Sequence, residues 1–283
     1  MIYLPVIGAL LEATGTIIEK RLLKFKSFNY KNYTVYSFLT IVVAMVPFIY
    51  FFWDIKPEAF LLKNLLIFLF IILSAALANI LVYYSYKRED LCELEPVRLM
   101  QPLFTIVLAF ILYTSERNIS LVVLALIASL ALVITHIKKN HFVYNKYIIA
   151  ALAGSLFFAV ELVASKAILE YYSSFTFYFL RCLFILIIVL AIFRPDFKAI
   201  DKHKKLGLFI LVSGLVWVFY RVILYWGYEV YGIVFTTILF ILTPVFILSF
   251  AKIFLKEKLT FRQIISTIIM VICVIAAIVI EGG

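Results

Sequence analysis

The chain of 283 residues is 66% apolar or aromatic and 15% charged, with a mean hydropathy of +1.12 and a formal net charge of +10. A soluble domain carries about 45–50% apolar and about 25% charged residues, so a soluble enzyme, a secreted disulfide scaffold and a disordered chain are excluded. What remains is an all-α polytopic membrane protein. Runs such as 65–73, 183–193 and 264–280 are continuously apolar, without the ~10-residue alternating segments of a membrane barrel.

Spanning ~30 Å of hydrocarbon takes roughly 20 helical residues. Ten helices are predicted, over 3–23, 33–53, 63–86, 92–113, 119–137, 147–169, 174–193, 206–229, 232–255 and 260–280, with polar clusters between them. The first has no basic leader and is interrupted by Glu12 and Glu19, so it reads as a retained helix, not a cleaved signal. Cys92, Cys182 and Cys273 are scattered without metal-like spacing and read as small apolar fillers. Neither a metal nor a cofactor is expected.

The basic residues are distributed unevenly. Loops after odd-numbered helices hold 18 Lys and Arg, the opposite loops only Lys56, Lys63 and Arg117, and five lie within spans. Cytoplasmic loops are enriched in these residues, which accounts for the positive charge without a nucleic-acid partner. The bias predicts cytoplasmic odd loops and both termini outside.

An internal repeat emerges along the chain. Gly8, Ala13 and Lys20 match Gly154, Ala159 and Lys166 at an offset of 146. Tyr83, Tyr86, Pro102, Phe104, Ala109 and Ile111 match Tyr225, Tyr228, Pro244, Phe246, Ala251 and Ile253 at 142, and Glu116 then matches Glu257. Residues 1–140 and 141–283 would each hold five helices, together forming one transmembrane domain. An odd number per repeat inverts the second half in the membrane, an arrangement characteristic of transporters with the site between the repeats.

The segments Pro102 to Glu116 and Pro244 to Glu257, the latter followed by Lys-Leu-Thr, set a proline inside the fourth helix of a repeat before an apolar run and a loop glutamate. In this the chain resembles the EamA family of the drug/metabolite transporter superfamily, over nearly its whole length. The resemblance implies ten helices and export of a small metabolite. Family members are usually assigned cytoplasmic termini, the reverse of the charge bias. The basic residue they often carry near the start of a repeat's second helix is Arg181 here, while its first-half counterpart is about Ser37. The related small multidrug resistance proteins carry a first-helix glutamate that binds cation and proton in alternation, and Glu12 is the best match to it.

Six charged residues fall deep within predicted spans: Glu12, Glu95, Arg98, Glu161, Arg181 and Arg221. Unpaired and facing lipid they would cost on the order of 15–20 kcal/mol, above a typical folding stability of roughly 5–15 kcal/mol. They must face a wet cavity, pair with one another, or both. Glu161 aligns with Gly15, three positions after Glu12, so the two acids are expected on similar faces of equivalent helices. Burial disfavours a carboxylate's charge, so such groups can exchange protons near neutrality; the alternative is that each simply neutralises an arginine.

Arg221 aligns with Asn79. Asn79, Tyr83 and Tyr86 repeat the spacing of Arg221, Tyr225 and Tyr228, with Trp217 one turn earlier. These faces suit either a metabolite pocket or helix packing. Gln101 stands beside Pro102, and Pro102 and Pro244 read as hinges. Glu95 and Arg98 could pair within one helix, and Lys20 and Lys166 lie where side chains snorkel.

The aspartates all fall in loops, and no His-Glu-x-x-His, Gly-x-Ser-x-Gly or diphosphate motif occurs, so no catalytic residue is expected. The reading that remains is a proton-linked secondary carrier of a small molecule, in the plasma or inner membrane, as a monomer or homodimer in the lipid bilayer. The substrate is first an amino-acid-like zwitterion, then an organic cation or drug, then an anion such as a sugar phosphate or nucleotide-sugar. A membrane receptor or scaffold is the non-transporting alternative. The candidate substrate and proton residues are Glu12, Glu161, Arg221, Asn79, Tyr83, Trp217, Tyr225, Arg98, Arg181 and Gln101.

Overall fold

The computed structural model describes residues 3–24, 29–88, 94, 97, 100–136, 145–195, 204–255 and 261–282. In chain order the helices are α1 (Tyr3–Lys24), α2 (Tyr30–Met45), α3 (Leu62–Arg88), α4 (Met100–Leu112), α5 (Ile119–His136), α6 (Lys146–Leu169), α7 (Ser174–Phe193), α8 (Lys204–Val230), α9 (Ile233–Phe240), α10 (Thr243–Leu255) and α11 (Phe261–Gly282). The apolar segments Tyr30–Phe52, Leu62–Lys87, Lys146–Leu169, Ser174–Phe193 and Gly207–Val230 are long enough to cross a bilayer, and shorter apolar helices accompany them. The protein is therefore an integral, multi-pass, all-helical membrane protein.

Local chemistry sets the boundaries. Asn145 caps α6 by accepting from Tyr147 N and Ile148 N, each at 2.9 Å. Ser173 caps α7 by accepting from Thr176 N at 3.1 Å. Each hydroxyl or amide oxygen satisfies an N–H that has no partner in the first turn. Pro47 tightens the chain after α2 into a 3-10 turn at Val46–Phe48, beyond which Ile49–Phe52 is again helical. The segment predicted as one helix over 232–255 is broken instead. It turns at residues 241 and 242, between α9 and α10, where Pro244 lacks the N–H that Phe240 O would need to continue the helix.

The exposed faces are apolar. On α3, Leu65, Leu66, Leu69, Phe70 and Leu73 point outward, whereas Ile71, Ala75 and Ala78 are buried. Outward leucines have the surface a lipid solvent requires, and inward alanines admit a neighbouring helix. That neighbour is α6, while α1 packs against α8, so the first helix of each half lies against the third helix of the other. Likewise α2 meets α7, α4 meets α9, and α5 meets α11. At Gly154 the α3–α6 contact is so close that a Cβ would come 2.8 Å from Val82 Cγ2 and 3.2 Å from the Ala78 carbonyl.

The connections before α3 and before α7 are tied together. Ile55 and Tyr172 form an antiparallel bridge. Lys56 N donates to Tyr171 O at 2.9 Å, and Ser173 N to Asp54 O at 3.1 Å. Ser173 Oγ donates to Phe52 O at 2.7 Å.

Candidate functional site

The most buried charge cluster is built from the second half. Glu161 on α6 is fully buried, with Arg181 Nε of α7 at 2.9 Å from Oε1 and Arg221 Nη1 of α8 at 3.9 Å from Oε2. Tyr225, one turn after Arg221, donates to Glu161 Oε1 at 2.6 Å. Aromatic faces hold the guanidinium groups: Arg181 lies over Tyr178, and Arg221 lies over Phe158 and Tyr220. Two arginines and a phenol around one carboxylate compensate charges that burial would otherwise make costly.

The cluster forms one wall of a chamber between the halves. This cavity of about 60 Å³ is lined by Glu12 and Glu19 of α1, Ser37 of α2, Asn79, Tyr83 and Tyr86 of α3, Gln101 of α4, Arg181 of α7, and Trp217 and Arg221 of α8, among others. Nη2 of Arg181, Nη1 of Arg221 and Nε1 of Trp217 are buried and find no hydrogen-bond partner among the described residues. Positive and donor groups thus line the same chamber as two carboxylates. At roughly 10–15 Å³ per water, the space suits about four to six waters or a small metabolite.

A second cavity, of about 70 Å³, adjoins the first, and Glu12, Gln101 and Tyr220 line both. Its other walls include Pro102, Thr105, Ser129, Tyr228, Thr237, Thr243 and Pro244. Thr243 Oγ1 donates to Glu12 Oε2 at 2.8 Å, joining α1 to the break between α9 and α10.

A third arrangement lies where α9 begins. Glu116, from the connection after α4, is buried and accepts from Ile233 N at 2.8 Å and Val234 N at 2.9 Å. Lys166 Nζ contacts the same carboxylate at 2.6 Å and Tyr228 O at 3.4 Å. Lys166 therefore does not snorkel: a carboxylate within reach competes better than the interface. Gly232 adopts φ 85° against this carboxylate, where a Cβ would meet Glu116 Oε1 at 2.7 Å.

Most residues singled out in the sequence converge on the two chambers. Glu12, Asn79, Tyr83, Gln101, Arg181, Trp217 and Arg221 line the first, while Pro102, Pro244 and Tyr228 line the second. Glu161 and Tyr225 sit behind the arginines and line neither. Pro102 lies on α4. Glu95, Arg98 and Glu257 lie outside the described residues, as does the Lys20 side chain.

Two participants escape the sequence reading. Glu19 is buried and accepts from Tyr83 OH at 2.9 Å. It stands to Tyr83 as Glu161 stands to Tyr225, each acid 64 residues before its phenol. The structural counterpart of Glu161 is thus Glu19 and not Glu12, and the equal spacing was the available signal. Glu116 is the other: its match to Glu257 was visible, but its role as a cap required seeing where α9 begins.

The EamA-like transporter family matches this chain over residues 1–137 and 145–279. No curated protein matches it. A solved structure described only as a crystal structure of a protein superposes with a TM-score of 0.71 at 13% identity, covering 99% of this chain and 98% of its own. At that identity it supports the fold alone.

Proposed function

The chain belongs to the EamA-like transporter family, and from that premise we propose that it is a secondary-active, proton-coupled carrier of a small amino-acid-like zwitterion. It works by alternating access, with export favoured, in a bundle of ten spans made of two inverted five-helix repeats. The reciprocal packing of first and third helices and the Glu19–Tyr83 and Glu161–Tyr225 pairs support the two-repeat reading. The 18-to-3 loop bias supports odd loops in the cytoplasm, in a plasma or inner membrane.

One observation carries the substrate reading: Arg181, Arg221 and Trp217, each with a buried donor that has no hydrogen-bond partner among the described residues, line the chamber that Glu12 and Glu19 also line. A substrate carboxylate docks on the Arg221 and Trp217 donors, and its ammonium group faces Glu12 and Glu19. Tyr83, Tyr86 and Tyr220 supply cation-binding faces and hydroxyls. Glu161 holds the two guanidinium groups in place. When substrate leaves, a proton takes its position on Glu12, so the two ligands compete for one carboxylate and shift the carrier between its open states. An anionic metabolite is the second reading, favoured by the three converging donors; the two acids in the chamber count against it.

The test is uptake of labelled amino acids by proteoliposomes of the purified chain under imposed pH gradients. Gradient-driven flux is expected in the native chain and lost in Glu12→Gln, with exchange across equal pH retained. Flux that ignores the gradient, or a Glu12→Gln variant that still follows it, would show the coupling assignment to be wrong.

A further inference from the structure

The second chamber differs in chemistry from the first. Its only charged group among the described residues is Glu12, and no described Lys, Arg or His lines it. The remaining polar lining is oxygen-rich: the Gln101 carboxamide and the hydroxyl-bearing side chains of Thr105, Ser129, Tyr220, Tyr228, Thr237 and Thr243. The Ser129 hydroxyl is buried, with the residue 1% exposed, and finds no hydrogen-bond partner among the described residues.

Backbone adds to this. The break between α9 and α10 borders the chamber at Phe240, Ile241, Thr243 and Pro244. Pro244 has no N–H to offer the carbonyl of Phe240 four residues earlier. The C-terminal end of α9 carries the negative end of its dipole and its last carbonyls to the same place. Interrupted helices at mid-membrane are arrangements in which freed carbonyls coordinate cations.

We propose that this chamber binds a small monovalent alkali cation, for which Na+ is the probe, between Glu12, the Ser129 and Thr237 hydroxyls, Gln101 and the carbonyl end of α9. Hard cations take oxygen ligands, and the side chains here offer them without a thiol or imidazole. One carboxylate balances one positive charge; a divalent ion would leave a net charge that no second acid among the described lining residues offsets. Glu12 also lines the first chamber, so the ion and the substrate ammonium would meet on opposite sides of one acid. The use of this site in coupling rests on the carrier reading; the binding itself does not.

The experiment needs neither flux nor substrate. The purified full chain is unfolded thermally in detergent at fixed pH and ionic strength, in NaCl, KCl or choline chloride. Na+ at several-fold its Kd is expected to raise the midpoint by about 2–4 °C over choline, saturably. Ser129→Ala and Thr237→Val, small changes at the far wall, are expected to abolish that increment, while Trp217→Phe in the first chamber retains it. Glu12→Gln should also remove it, but the conclusion does not depend on that variant folding. Equal midpoints in Na+ and choline would overturn the proposal. So would a Na+ increment that survives both Ser129→Ala and Thr237→Val. Because substrate is absent, a failed flux assay leaves this result intact, and a failed Na+ assay leaves proton-driven flux to be judged separately.

Discussion

The phenol of Tyr225 donates to the carboxylate of Glu161 at 2.6 Å, inside a site the solvent does not reach. The bond ties the third helix of the second half to its first, and it fixes the carboxylate that Arg181 approaches at 2.9 Å and Arg221 at 3.9 Å. The unequal distances matter. Arg181 is committed to Glu161, whereas Arg221 is held by aromatic faces and a weaker attraction, with Nη1 left without a hydrogen bond.

Glu161→Ala should be among the most damaging single changes in the chain. It would leave two guanidinium groups buried without their carboxylate, at about 3–5 kcal/mol for breaking such a cluster. At roughly 2–4 °C per kcal/mol, thermal unfolding in detergent should show a midpoint lowered by roughly 6–20 °C. Adding Arg181→Met to Glu161→Ala should cost less than the sum of the single changes, because one orphaned charge is removed. A strictly additive pair would mean that Arg181 draws its stability from elsewhere.

Trp217→Phe tests the chamber without touching the cluster, and Arg221→Gln removes only its longer arginine contact, at 3.9 Å. Trp217→Phe keeps an apolar ring and removes one N–H, so it should raise KM for a carboxylated substrate by roughly ten- to 150-fold, the worth of one hydrogen bond to a charged group. Arg221→Gln should raise it more, since a charged donor is lost. Neither change should alter transport of an amine lacking the carboxylate. Equal loss for the amine and the zwitterion would relocate the carboxylate contact.

Much of this site was legible because charge in an apolar solvent has few permitted surroundings. Glu12, Arg181 and Arg221 could be picked out by cost alone, and the Asn79–Tyr83–Tyr86 and Trp217–Arg221 faces by helical spacing; all of them line the first chamber. What the spacing did not reveal was partnership. Glu12 and Glu161 look alike in sequence, yet Glu161 lies behind the arginines and Glu12 lines both cavities. That difference is made by α7 and α8, which bring two guanidinium groups to α6, while α1 faces the break before Pro244. The same break was marked by Pro244, which reads as a hinge in the sequence, although hydropathy alone does not register a turn inside the run 232–255.

The packing of α3 on α6 gives a prediction about the frame. Gly154→Val should destabilise by about 1–3 kcal/mol through overpacking, since its Cβ alone would press on Val82 and on the Ala78 backbone. Ile149→Ala, at a position 55% exposed on the same helix, should change stability by less than about 0.5 kcal/mol. Unfolding midpoints of the two variants in one detergent make the comparison. A Gly154→Val variant as stable as Ile149→Ala would mean that the two helices can move apart at little cost.

Glu116 is a cap supplied from a distance: the sequence places it 117 residues before Ile233, the first N–H it accepts. Because Gly232 offers no side chain, the start of α9 depends on that carboxylate, with Lys166 beside it. Removing an N-cap costs about 0.5–2 kcal/mol, so Glu116→Ala should speed hydrogen exchange at the Ile233 and Val234 amides by roughly two- to thirtyfold relative to amides in the middle of α6. Gly232→Ala should produce a similar effect by another route. Its methyl group would strain a backbone at φ 85° and ψ 169°, a region essentially restricted to glycine, by roughly 1–3 kcal/mol and crowd the Glu116 oxygen that should bond to Ile233. Combining the two should cost less than the sum of the single changes, because once the carboxylate is gone the methyl group no longer crowds it and only the backbone strain is added. Unchanged protection at both amides in Glu116→Ala would show that α9 begins without its help.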